Sequence, residues 1–211
     1  MLQPLPLVMK TPIRPVWAPE RVIKTVQGLE SMEWRSEFNP GDRVILPHLS
    51  ISAHQRGRFT QGFAIYRPSF EPIYDLAAAE LHQDQESFTD SFPIFVYGPQ
   101  GIGKSHALRF AAARLWRDRL HNESNFRILY IADWHSISLP NLKKELKLCF
   151  YDDNIMLHRI DSVACAQDVQ RLMSDCEERV VVILDQAFDT VSGGKSNWMY
   201  DFFRTIRAMS A

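Results

Sequence analysis

The chain has 211 residues, enough for one medium domain with its own core, and its apolar share of 45% is that of a globular protein. A net charge of −1 leaves no large basic field to gather nucleic acid, which argues against non-specific DNA binding as the main activity and leaves room for a local patch. No apolar run reaches the length of a membrane span. The three cysteines, Cys149, Cys165 and Cys176, have neither disulfide-framework nor metal-ligand spacing, so they read as reduced thiols of an intracellular protein.

Eleven of the twelve prolines precede residue 100 and only Pro140 follows it, so the irregular part of the chain comes first. Residues 1–60 are expected to form an extended, proline-rich segment and residues 61–211 the folded core. The first twenty residues read as an arm that needs the surface of a protein partner to become ordered. The stretch Met1–Val8 is too short and too proline-broken for a secretory leader. Arg14, Arg21 and Lys24 hint at a mitochondrial presequence, but Pro12, Pro15 and Pro19 oppose the amphipathic helix such a segment needs. Within residues 20–35, Val22, Val26 and Leu29 share one helical face. Asn39-Pro40-Gly41-Asp42 is a turn before a short strand at Arg43–Leu46. Ser69 is placed to cap a helix from Phe70 to about Gln83, with Ile73, Leu76, Ala77 and Leu81 on its apolar side. Glu80 to Asp90 reads as a polar linker.

From residue 92 strands and helices alternate, which predicts an α/β fold with a parallel sheet flanked by helices. The β-branched and aromatic run Ile94–Tyr97 leads directly into Gly98-Pro99-Gln100-Gly101-Ile102-Gly103-Lys104-Ser105. This is the G-x-x-x-x-G-K-S phosphate-binding loop, a bare pattern that a chain of this length meets by chance on the order of once in a hundred. The glycines let successive amides curl inward at phosphate oxygens, Lys104 reaches the β- and γ-phosphates, and the Ser105 hydroxyl is a ligand for Mg²⁺. A helix starting at Lys104 would add its positive end. Residues 98 to 106, His106 included, are thus the expected nucleotide contacts. The helix that follows carries Ala107, Leu108, Ala111, Ala112 and Leu115 on one side, with Arg109, Arg114, Arg117 and Arg119 largely on the other. A second strand is expected at Phe126–Ala132, ending at Asp133. Helices follow at Leu139–Phe150 and roughly Ser162–Glu178, then a third strand at Arg179–Leu184 and a last helix near Asn197–Met209. Gly98, Asp133 and Asp185 all fall at the carboxyl edge of the sheet, where open parallel sheets bind ligands.

Asp185 closes an apolar run, the Walker B arrangement in which a buried strand delivers a carboxylate to the Mg²⁺ held by Ser105. The next residue is Gln186, whose neutral amide cannot act as a general base but can orient a water. Lys104 and Gln186 are therefore the candidate catalytic groups, with Asp133 and Asp189 as substitute bases. An Asn-Lys-x-Asp element for guanine is missing after the third strand, so ATP is the expected nucleotide. Gly193-Gly194-Lys195-Ser196 is not a second loop of this kind, because position 189 is an aspartate. Arg204 and Arg207 read as a solvated helix face. Only one helix follows Leu184, so the sheet is expected either to lack its late strands or to follow a simpler kinase-like order.

Pro93–His106, the upstream Tyr66-Arg67-Pro68-Ser69-Phe70, Ile128–Asp133 and Ile183-Leu184-Asp185-Gln186 together resemble the P-loop NTPase module of Crinkler-type proteins of oomycetes and fungi. The resemblance spans roughly residues 60–190. It implies a host-directed, secreted effector module in which Lys104, Ser105 and Asp185 bind Mg²⁺ and nucleotide. A fainter likeness is to the GTP-binding death-associated protein of the mitochondrial small ribosomal subunit, where a proline-rich arm would suit docking on a ribosome. Three functions follow: a slow or switch-like ATPase, a non-catalytic structural P-loop protein, and a small phosphotransferase.

Overall fold

The computed structural model describes residues 19–31, 38–46, 49, 63–82, 94, 96, 98, 101–122, 125–134 and 137–185. In chain order these form α1 (Glu20–Glu30), β1 (Arg43–Ile45), β2 (Phe63–Ile65), a 3-10 turn (Pro68–Phe70), α2 (Glu71–His82), α3 (Lys104–Asn122) and β3 (Phe126–Ile131). Then come α4 (Leu139–Cys149), α5 (Asn154–Ser162), α6 (Ala166–Ser174) and β4 (Arg179–Leu184). The protein is mixed α/β: the described residues hold six α-helices, a parallel β3–β4 pair and an antiparallel β1–β2 pair.

Residue parity on the parallel pair sorts the helices into two layers. β3 pairs with β4 from Phe126 opposite Arg179 to Ile131 opposite Leu184. Successive strand residues point to opposite faces. Accordingly Phe126, Ile128, Tyr130, Val181 and Ile183 join the apolar cluster of α1, α2 and α3. Leu129, Ile131, Val180, Val182 and Leu184 join the cluster of α4, α5 and α6. All six residues of β3 are buried, as expected of a strand covered on both sides. Val22, Val26, Leu29 and Val44, all within the first sixty residues, belong to the same cluster as α3.

α3 differs from expectation. Its arginines do not form a solvated side: Arg109 is 1% exposed and Arg119 8%. The reason is position, because β3 packs on one side of α3 while α1 and α2 pack on others, leaving no wide free face. Ser69 likewise does not cap α2, which runs from Glu71 to His82 close to expectation; it lies inside the 3-10 turn that Pro68 opens ahead of that helix. α2 is tied to α3 by a polar belt. The Tyr66 hydroxyl donates to Glu71 (3.1 Å), Glu71 pairs with Arg114, Arg114 stacks on the Tyr74 ring, and the Tyr74 hydroxyl donates to Asp118 (2.6 Å).

The helix expected over roughly 162–178 is α6, shorter at Ala166–Ser174, and α5 at Asn154–Ser162 stands before it where no helix was expected. Asp153 Oδ1 accepts from the Met156 amide (2.9 Å) and starts α5, and extended Val163 stops it. Asp168 Oδ2 then accepts from the amides of Ala164 (2.9 Å) and Cys165 (3.2 Å), opening α6. At the amino ends of β3 and β4 a buried ionic clasp closes the sheet. Asp152 bridges Arg119 (2.7 Å) and Arg127 (2.8 Å), and Glu178 pairs with both arginines. Of the strand expected at Ile94–Tyr97, Ile94 and Val96 are described; neither is in a strand, and Ile94 is 41% exposed.

Candidate functional site

The loop before α3 has a backbone that only glycine adopts without strain. φ is +152° at Gly98, +84° at Gly101 and +100° at Gly103. At Gly101 a side chain would meet nothing within 4 Å, so conformation rather than crowding selects glycine there. The Gly103 carbonyl accepts from the Ala107 amide (3.0 Å), which sets the start of α3 at Lys104 and concentrates positive potential at the end of the loop. Lys104 curls back so that Nζ donates to the Gly98 carbonyl (2.8 Å), closing the loop on itself. From outside, Arg67 Nη1 donates to the Ile102 carbonyl (2.9 Å).

Asp185 lies one residue past β4, yet it continues the ladder. Its amide donates to Ile131 O (2.9 Å) and its carbonyl accepts from Trp134 (3.1 Å). In the alternation of Val181 and Ile183, Asp185 falls on the face that α3 covers, and it is 5% exposed. Ser105 and Arg109 are one helical turn apart on α3 and therefore share a face. Arg109 is near enough to Asp185 for the carboxylate's charge to act on the guanidinium.

Three ionisable groups register this crowding. Burial lowers the Arg109 guanidinium, and Tyr130 and Asp185 counter part of that effect. None of its three nitrogens has a hydrogen-bond acceptor among the described residues. The Tyr130 hydroxyl is pushed well above its ordinary range by burial and then by Asp185. His106 is lowered by burial and then by the positive charges of Arg109 and Arg67, all of which favour the neutral imidazole.

Among the sequence-derived candidates, Gly98, Gly101, Ile102, Gly103, Lys104, Ser105 and His106 form one loop and helix start. Asp185 stands at the end of β4 on the side of that helix. Pro99, Gln100, Gln186, Asp189, Arg204 and Arg207 lie outside the described residues, as do the arm before residue 19 and the helix expected near Asn197. Sequence reasoning missed Arg67 and Arg109 as neighbours of the loop. The four-residue step from Ser105 is the signal that places Arg109 there, whereas Arg67 was singled out only within Tyr66–Phe70, with no role attached, because Ile102 is thirty-five residues away.

Among the described residues, no group of three or more His, Cys, Asp or Glu side chains is placed to hold a metal ion, and no helix is long and apolar enough to cross a membrane. No family model, curated protein or solved structure matches the chain, so the reading of the site rests on its own residues.

Proposed function

We propose that the chain is a P-loop NTPase that binds Mg·ATP and hydrolyses it slowly, in the manner of a switch. The observation that carries this reading is the run of three positive-φ glycines leading into α3 at Lys104 and Ser105, with Asp185 on the sheet face beneath that helix. A curled, glycine-dependent backbone ending in a helix N-terminus suits phosphate oxygens. Lys104 is already within reach of the loop's concave side and would exchange the Gly98 carbonyl for a phosphate.

Ser105 and Asp185 fit Mg²⁺ by chemistry: a hydroxyl and one carboxylate, with phosphate oxygens completing the shell, is the usual way this ion is held. When bound, the ion neutralises phosphate charge. Arg109 and Tyr130 are buried close enough to Asp185 for its charge to act on both. Gln186, adjacent to Asp185 in sequence, can orient a water but cannot take its proton, which is why slow turnover is proposed. The sequence resemblance extends the proposal to a Crinkler-type module whose proline-rich arm docks on a protein partner.

Isothermal titration of the whole chain with Mg·ATP, wild type against Lys104→Ala, tests the reading. Wild type is expected to bind, and the variant to bind about tenfold or more weakly while melting at the same temperature. Folded wild-type protein that takes up no Mg·ATP at millimolar concentration overturns the proposal.

A further inference from the structure

We infer that Arg67 is a phosphate-contacting residue supplied from outside the loop, a second cation that brackets the site opposite Lys104. The inference rests on the nucleotide reading above and adds a residue to it.

Arg67 is mounted in a way that a surface arginine seldom is. The residues on either side of it are anchored. Tyr66 is 6% exposed and exchanges backbone bonds with the Gly41–Asp42 turn: its amide donates to Asp42 O (2.8 Å) and its carbonyl accepts from Gly41 (3.1 Å). Phe70, three residues on, is 2% exposed and its amide donates to Arg67 O (2.9 Å). The rings of Tyr66 and Phe70 both pack on Phe110 of α3, with centroids 5.6 Å away in each case. The backbone of Arg67 is therefore fixed relative to α3, the helix that begins at the loop.

The side chain itself is exposed, and its guanidinium rests on the loop. Nη1 donates to Ile102 O and lies 3.6 Å from where a Cβ on Gly103 would stand. Its charge is felt at His106. Thus Arg67 flanks Ile102, Gly103 and His106, the end of the loop where the helix starts, while Lys104 Nζ sits at Gly98, where the loop begins. A neutral carbonyl is a modest partner for a guanidinium, and a phosphate oxygen is a better one, with bidentate geometry open to it. A ligand with two or more phosphates in the loop would draw Arg67 from Ile102 O at a small cost, since the backbone mount is already set. The mount also means that the contact would reach the β1–β2 pair and α2 without any further rearrangement.

The test uses the full chain, with Mg·ADP and Mg·ATP as probes. Wild type, Arg67→Gln and Arg67→Lys are compared by titration calorimetry at several salt concentrations and by ³¹P NMR of bound ADP. Support requires that Arg67→Gln binds about tenfold or more weakly, with a shallower salt dependence and a shifted phosphorus resonance, and that Arg67→Lys recovers part of the affinity. Weaker binding with unchanged salt dependence and unchanged ³¹P shifts would mean that Arg67 only braces the loop, and overturns the inference. Equal binding overturns it as well. If Arg67→Gln does not fold, the ³¹P shift of the Arg67→Lys complex decides, because a phosphate contact changes when an ammonium replaces a guanidinium and a remote brace does not. Wild type binding neither probe sinks the nucleotide reading itself, which is distinct from all of these results.

Discussion

Replacing Asp152 with alanine probes the clasp that holds the sheet together at the end opposite the loop. Asp152 makes two charge-assisted contacts, at 2.7 Å to Arg119 and 2.8 Å to Arg127, whose side chains are only 7% and 8% exposed. Such bonds contribute roughly 1.5–3 kcal/mol each. Glu178 stays behind to face both arginines, so neither guanidinium is left without a carboxylate although one is shared between two, and Asp152 is itself 34% exposed, so water can refill part of the gap. The discounted loss is about 2–4 kcal/mol. Equilibrium unfolding in urea should show it as a midpoint about 1 M lower. Acid adds a second check. Burial alone would raise the Asp152 carboxyl, but Arg119 and Arg127 outweigh it and hold the group below its usual range. Its contribution is therefore complete above the unfolded carboxylate pKa, about 4, and lost as pH falls through the lower folded value. Wild type should lose stability over that window more steeply than Asp152→Ala. A midpoint change under about 0.2 M, or parallel acid profiles, refutes the account of the clasp.

Alkaline stability should depend on Tyr74 and Tyr151. Both are raised to about 12, in each case by burial first and then by an aspartate, Asp118 for Tyr74 and Asp152 for Tyr151. Their contribution is whole below the unfolded tyrosine pKa, about 10, and disappears as pH rises toward 12, so Tyr74→Phe should flatten the melting profile in that window. Gly41→Ala and Gly101→Ala impose similar strain, since φ is +95° and +84° and neither position has a neighbour within 4 Å. Each should cost about 1–2 kcal/mol locally by urea unfolding, and only Gly101→Ala should weaken Mg·ATP binding. Alkylation followed by mass spectrometry should modify exposed Cys165 in the native chain and Cys149 only after unfolding, because Cys149 is wholly buried and its thiol is pushed up by that burial.

What could be seen in the sequence was whatever a local rule controls. The strands at 126–131 and 179–184 and the helices at 104–122 and 139–149 follow from apolar runs and helical spacing, and they match expectation within a residue or two. α5 was missed because its start depends on Asp153 capturing the Met156 amide, and α6 came out shorter than expected, with Asp168 capturing the amides of Ala164 and Cys165 ahead of it. The burial of Arg109 and Arg119 was missed for another reason. A helical wheel assigns charge to solvent, but here α3 is covered not only by the adjacent β3 but also by α1 and α2, which come from the first part of the chain. Within the candidate site, the glycines, Lys104, Ser105 and Asp185 were legible as a motif. Arg67 was not, because its relation to Ile102 spans thirty-five residues and exists only once the Gly41–Asp42 turn and Phe110 have fixed its neighbours.

The interior of β4 is Val180-Val181-Val182-Ile183-Leu184, nearly uniform in shape, so nothing inside it tells one pairing offset from another. The reading frame of the strand is therefore stored at its two ends: in the pairing of Glu178 with Arg127, and in the bonds that Asp185 makes to Ile131 and Trp134. A slide by two residues would keep every apolar face satisfied and would put Ile183 or Ala187 where the carboxylate stands. The core would hardly register such an error, while the site would lose Asp185, the one buried acid among the described residues. Substitutions within the valines should thus be forgiven here, and insertions or deletions between Glu178 and Asp185 should not.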